Sequence, residues 1–343
     1  MPNNAKTNYH HPVSTKGGSL MSLTSIISCH HELKREFPNL KQFMYDQNDR
    51  PLTTQDWYTT IKVPSIGKSF ERGLIGTAFD YAARSIVLKF LARENVVKEK
   101  YLTAEIGLSK YNECAELMQL FPTGTDDIDK ERYEGLSKVW QSGKEIHDYL
   151  KDQLKSAKEA RENFIDGNIG FKTMVEGAVF LARLDEIYRA QSIHVVDEYF
   201  REKEGKTYFS QFRTLNNEDL VNQVCRLSLI FDLFLRTTRW EKAILNPEFG
   251  EYSETVGGAD ADLIINDILI DIKTRNKLNY SGDDFAQLFV YAAMAQKVGM
   301  NVEKVGIYYA RFGVFASIKL DDPLLQPDFL DNYLKKIVQI AEE

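Results

Sequence analysis

A chain of 343 residues is long enough for one large domain or two of ordinary size. Its 43% hydrophobic and 27% charged content is that of a globular protein, and no run approaches the ~18 consecutive apolar residues of a membrane-spanning helix. With 50 acidic against 43 basic residues the net charge is −7, which excludes a broad basic coat for nucleic acid but not an enzyme that gathers its cations round one cleft.

Residues 1–20 are polar, lack the apolar stretch of a secretory signal and read as a disordered leader. Residues 21–95 read as N-terminal helices. A weak helical pattern over 22–43 is followed by a polar loop over 46–68, with a short extended piece at 58–63. A strong helix over 70–93 then carries Leu74, Ala78, Tyr81, Ser85 and Leu88 at helical spacing. Residues 96–245 read as a mainly helical insertion. Its segment 130–163 is charged, with Glu–Lys pairs at i,i+4, whereas 171–200 and 217–236 are amphipathic.

Beyond Pro247 the texture changes, and residues 246–343 read as β-β-α-β-β-α. Strands at 263–265 and 268–270 flank Asn266-Asp267, a fair two-residue hairpin turn. A helix over 283–298 stops at Gly299. Strands at 305–310 and 314–320 hinge at Arg311-Phe312-Gly313, and a helix over 328–341 follows. The cysteines, Cys29, Cys114 and Cys225, are odd in number and lack a CxxC spacing. They exclude a disulfide framework, a zinc ribbon and a four-cysteine iron–sulfur cluster, and they read as reduced thiols of a cytoplasmic protein. No Walker A loop and no Gly-x-Ser-x-Gly elbow is present.

The hairpin carries the chemistry. With a two-residue turn at Asn266-Asp267, Ile265 faces Ile268, Asp262 faces Asp271 and Asp260 faces Lys273. The strand period of two puts Asp271 and Lys273 on one face, and Ile268, Ile270 and Ile272 on the other, which belongs in the core. Like charges directly opposed across a strand pair destabilise it. Two carboxylates placed so are unfavourable unless something cationic sits between them, and a divalent ion that prefers oxygen ligands fits. Lys273 beside such an ion would orient or activate an attacking water and neutralise charge in the transition state.

At these residues the chain resembles the PD-(D/E)xK nuclease superfamily, in its RecB-like branch. The resemblance rests on Gly257 or Gly258 ahead of Asp260 and Asp262, on Asp271-Ile272-Lys273-Thr274, and on Gln287 and Tyr291 one turn apart on the following helix. Upstream, Gly76-Thr77-Ala78-Phe79-Asp80 matches the turn-and-helix of the branch, with Asp80 where a ligating His stands. Asp260 fits the Gly-x-x-Asp spacing. Asp262 fits better the rule that the ligand directly precedes the strand, and is preferred.

The resemblance implies an α/β, restriction-endonuclease-like mixed-sheet core with a large mainly α-helical insertion. It implies Mg²⁺ or Mn²⁺ held by Asp80, Asp262, Asp271 and the Ile272 carbonyl, with Asp262, Asp271 and Lys273 catalytic. Gln287 and Tyr291 would hold the strand or brace the site, and Arg275 and Lys277 would contact phosphates. The implied reaction is hydrolysis of DNA, with RNA left open, in phage defence, mobile-element biology, or repair and recombination. A membrane is not expected, and a homodimer or a partner protein stays open. The competing expectation is an inert module that keeps the fold and binds nucleic acid or assembles with a partner.

Overall fold

The computed structural model describes residues 22–30, 33, 40–57, 59, 61–65, 71–99, 102–117, 147–190, 218–256, 258, 260–279, 281–323, 325 and 328–342. The expected leader, Gly257 and residues 130–146 of segment 130–163 lie outside them, as do residues 191–200 of the expected helix over 171–200. Helices are α1 (Leu23–Cys29), α2 (Glu71–Phe90), α3 (Thr103–Leu117), α4 (147–165), α5 (Phe171–Ala190), α6 (Glu218–Leu235), α7 (Glu251–Thr255), α8 (Gly282–Lys297) and α9 (Phe329–Glu342). Strands are β1 (Val96–Val97), β2 (Ala243–Leu245), β3 (Leu263–Ile265), β4 (Ile268–Lys273), β5 (Lys304–Tyr309) and β6 (Val314–Lys319).

The protein is mixed α/β, with one six-stranded sheet in the order β1-β2-β3-β4-β5-β6. The β1–β2 and β4–β5 pairs are parallel and the others antiparallel. Parallel β4 and β5 are joined through α8, as a parallel pair requires a crossover. Two strands, β1 and β2, come from the stretch expected to be a helical insertion. They are two and three residues long, too short for strand alternation to register in a sequence. Residues 96–245 therefore contribute strands to the sheet as well as helices beside it.

The expected hairpin forms in the expected register, with Ile265 paired to Ile268, Ile264 to Leu269 and Leu263 to Ile270. Asn266 takes φ +56, the left-handed conformation that primed two-residue turns need. Its side-chain Oδ1 accepts from the backbone N–H of Glu241 at 2.9 Å, tying the turn to the approach into β2. Asn266→Ala keeps the strained φ and loses this acceptor, so we expect about 1–2 kcal/mol of destabilisation in urea melts. Asn266→Gly, relieved of the strain, should lose less.

One part of the sequence expectation needs correcting. The isoleucine face was expected to be the core face, but both faces of the hairpin are buried. Leu263, Ile265, Ile268 and Ile270 pack with α2, α3, α4, α5 and α6, whereas Ile264 and Leu269 pack with α1, α8 and α9. The unbroken apolar run Ile268-Leu269-Ile270 is what a strand covered on both sides shows. Within the helical layer, α3 and α5 cross so closely that a Cβ on Gly107 would lie 2.0 Å from the Leu184 carbonyl oxygen. That crossing fixes how α5 reaches the sheet.

Candidate active site

Asp262, immediately before β3, and Asp271 and Lys273 on β4 lie where the hairpin leaves the core. Asp262 is half-buried, and its Oδ2 accepts from the backbone N–H of Ile272 at 2.6 Å across the pair. Asp271 is buried. Its Oδ2 meets Lys273 Nζ at 2.8 Å, and the same ammonium lies 4.0 Å from Asp284. Lys273 therefore pairs with Asp271 and Asp284, not with Asp260.

Asp80 arrives from α2. The helix comes close to the end of β4 because Gly76 has no side chain; a Cβ there would stand 3.2 Å from Thr274 Oγ1. Asp80 Oδ2 accepts from Arg84 Nη2 at 2.5 Å one turn on, and its Oδ1 is buried with no hydrogen-bond partner. Arg84 is itself 3% exposed and lies 3.9 Å from Glu99, whose carboxylate meets Arg161 at 2.7 Å. An ion-pair chain thus runs from the site into α4.

The electrostatics follow. Asp262 titrates well above the usual carboxylate range because the packed protein strips water from it, and because Asp80 and Asp271 stand nearby. Asp80 is raised as well, chiefly by burial, with Arg84 opposing. Burial works against the charge on Lys273, but Asp271, Asp284 and Asp262 outweigh it and hold the lysine cationic. Asp260 stands exposed at the rim. Its pKa is raised to about 6, first by the protein packed round it and then by Glu248. Because that side chain keeps solvent contact, water screens much of this effect.

Tyr291 and Gln287, one turn apart on α8, are joined by a bond of 2.6 Å from Gln287 Nε2 to the Tyr291 hydroxyl. Tyr291 is buried over the same carboxylates, and its pKa is raised by burial and by Asp271 and Asp262. Arg275 is in the cluster but spoken for, since its guanidinium grips Asp284 with both outer nitrogens, one at 2.7 Å. Lys277 is exposed beyond the end of β4, and among the described residues no ion pair joins it to the cluster. Two basic residues on α4 are also engaged: Lys158 meets Glu105 at 2.5 Å and Arg161 meets Glu99. Arg236 and Arg239 pair with Asp232 and Glu241.

Three structural participants escaped the sequence reading. Asp284, 3% exposed, sits between Lys273 and Arg275 in the first turn of α8. Arg84 neutralises Asp80. Arg311, buried, donates to the Thr274 carbonyl at 2.7 Å and to those of Val63 and Pro64 at 3.2 Å, pinning the end of β4. The Asp80–Arg84 pair was readable from its i,i+4 spacing. Asp284 looked like an ordinary acid at a helix start, and Arg311 like part of a turn.

The donor set suits a hard divalent cation. Its groups are oxygen ligands, one buried carboxylate oxygen is orphaned, and Asp262 has no cation in an ion pair with it among the described residues. Among the described residues, no three His, Cys, Asp or Glu side chains converge as a ready-made metal group, because Asp80 and Asp271 are turned onto Arg84 and Lys273. Mg²⁺ commonly takes only one or two carboxylates and fills the rest of its shell with water and phosphate, so a partial protein set is compatible with it. Among the described residues, no helix is long and apolar enough to cross a membrane. No protein family, curated protein or solved structure matches the chain.

Proposed function

We propose that this chain is a metal-dependent nuclease that hydrolyses DNA phosphodiester bonds, on a restriction-endonuclease-like core of the PD-(D/E)xK, RecB-like kind. The observation that carries the reading is Asp262. Among the described residues Asp80 has Arg84, Asp271 has Lys273 and Asp284 has Arg275, but Asp262, with Asp80 and Asp271 nearby, has a backbone N–H and no ion-pair partner. A site arranged so leaves the Asp262 carboxylate without a counter-ion, with Asp80 and Asp271 near enough to raise its pKa.

Asp80, Asp262 and Asp271, with the Ile272 carbonyl, would hold Mg²⁺ or Mn²⁺. The cation supplies Lewis-acid polarisation of a phosphate oxygen and offsets the negative charge of the transition state. Lys273, kept cationic by its carboxylate neighbours, serves as a donor to the attacking water or to a non-bridging phosphate oxygen, not as the base. Gln287 donates to the Tyr291 oxygen, which leaves the phenol proton free to brace a ligand carboxylate. Arg275 acts through Asp284, whereas exposed Lys277 is available to a phosphate of the bound strand. The choice of DNA over RNA rests on the resemblance. A cytoplasmic setting in phage defence, mobile-element biology or repair accompanies it.

The test is incubation of the purified chain with supercoiled plasmid, linear duplex, single-stranded DNA and RNA in Mg²⁺, in Mn²⁺ and in EDTA. The reading expects divalent-dependent cleavage of DNA that EDTA abolishes. A second reading, an inert nuclease-fold module that binds nucleic acid, draws on the carboxylates being turned onto their own partners. It expects binding in EDTA and no cleavage of any substrate in either metal.

A further inference from the structure

The helical layer brings a cation of its own to the side of α2, the helix that carries Asp80. Arg189 lies in the last turn of α5, and its Nε donates to Asp185 Oδ1 one turn earlier. Asp185 is only 1% exposed and accepts a second bond, from the Tyr81 hydroxyl at 3.0 Å. That hydroxyl in turn accepts from the Ala104 N–H at 3.1 Å, so the acid is held firmly from behind. The arginine side chain, by contrast, is 64% exposed. Tyr81 follows Asp80 on α2, and Arg84, the partner of Asp80, lies 4.5 Å over the Tyr81 ring, so the Asp185–Arg189 pair stands on the Asp80 side of the site.

An exposed arginine one helical turn from an acid is usually a surface pair of little consequence. Here the acid is buried, a costly arrangement that a surface pair does not need. Among the described residues only the Nε of Arg189 is engaged, which leaves the two-nitrogen edge for the fork-like grip that suits an oxyanion. The candidate site also carries Asp80, Asp260, Asp262 and Asp271, so an approaching polyanion meets repulsion unless cations line its path. Arg84, Lys273 and Arg275 are each committed to a carboxylate.

We propose that Arg189 is a substrate-phosphate clamp: a guanidinium oriented by Asp185 and Tyr81, whose outer edge grips a backbone phosphate of the nucleic-acid strand beside the cleft. The inference rests on the nuclease reading of the site. It gives the helical layer a part in substrate binding, with Arg189 touching substrate and Asp185 and Tyr81 positioning it.

The test measures binding apart from cleavage. Anisotropy of fluorescein-labelled single-stranded and duplex oligonucleotides, in Ca²⁺ across a salt series, is compared for wild type, Arg189→Gln, Arg189→Lys and the surface control Arg239→Gln. Loss of one clamped phosphate should weaken binding on the order of tenfold and flatten the log–log salt slope by about 0.7–0.9. Arg189→Lys should recover the slope but only part of the affinity, since an ammonium cannot grip bidentately, and Arg239→Gln should match wild type. In Mn²⁺, Arg189→Gln should raise KM with kcat little changed. Asp185→Asn/Arg189→Gln, which strands no buried charge, should show the same loss. Wild-type affinity and slope in Arg189→Gln and in the double variant, with wild type cleaving DNA, would overturn the clamp and leave the nuclease standing. A wild type that neither binds nor cleaves nucleic acid overturns both.

Discussion

Asp271→Asn is expected to lower divalent-dependent DNA cleavage by at least about a thousandfold, the scale on which removal of a member of a catalytic set acts. The substitution keeps the shape of the side chain and removes one of the three carboxylates proposed to hold the cation. It also deprives Lys273 of its partner at 2.8 Å, leaving Asp284 at 4.0 Å. Lys273→Met should act through the other half of the pair, costing on the order of a hundredfold or more in kcat by removing a donor aimed at developing charge. The two variants should part in metal affinity: Asp271→Asn weakens it, whereas Lys273→Met frees Asp271 and should not. Initial rates across a Mn²⁺ series, with circular dichroism as a check on folding, separate these outcomes. Cleavage by Asp271→Asn at the wild-type rate would remove the hairpin from the chemistry.

The second large effect concerns stability against pH. Asp80 and Asp262 have folded-state pKa values above the ordinary carboxylate value, and Asp260 is raised to about 6. A carboxyl raised on folding stabilises fully below its unfolded pKa, and that contribution is lost as pH climbs through the folded pKa. In EDTA the melting temperature should therefore fall from pH 5 to pH 8. Glu99, lowered despite its burial because Arg161 and Arg84 flank it, acts in the opposite sense, but only as pH drops through its depressed pKa, below this window. Mn²⁺ binds the deprotonated carboxylates, so its stabilisation should grow with pH and reach about 2.7 kcal/mol at a hundredfold excess over Kd. Asp262→Asn should melt higher than wild type in EDTA at pH 8 and gain little from Mn²⁺. An equal Mn²⁺ gain in wild type and Asp262→Asn would mean that the ion binds elsewhere.

The hairpin was the most legible part of the chain. Asn266-Asp267 between two short apolar runs set the turn, and the turn set the pairing that brings Asp262 to β4. The helices were legible in outline: α6 and α8 run within a residue of their expected bounds, because long periodic stretches average out local exceptions. The short strands were not. Val96–Val97 and Ala243–Leu245 exist because neighbouring strands pair with them, and no local pattern reports that. The burial of both hairpin faces was readable from Ile268-Leu269-Ile270, where an unbroken run outweighs the alternation of Asp271 and Lys273 beyond it. Within the candidate site, the carboxylates could be named from spacing, but their counter-ions could not. Asp284 reaches Lys273 only because α8 packs across the end of β4, and Arg311 reaches the Thr274 carbonyl only through the β5–β6 turn.

Asp80, Asp262 and Asp271 are expected to take up a divalent cation together, which titration of Mn²⁺ into the metal-free chain, followed by electron paramagnetic resonance and calorimetry, measures. Binding should be saturable and stoichiometric, release protons near pH 6, be lost in Asp262→Asn and Asp271→Asn, and survive in Arg239→Gln. Uptake that is absent at millimolar Mn²⁺, or unchanged by both aspartate substitutions, would contradict this expectation.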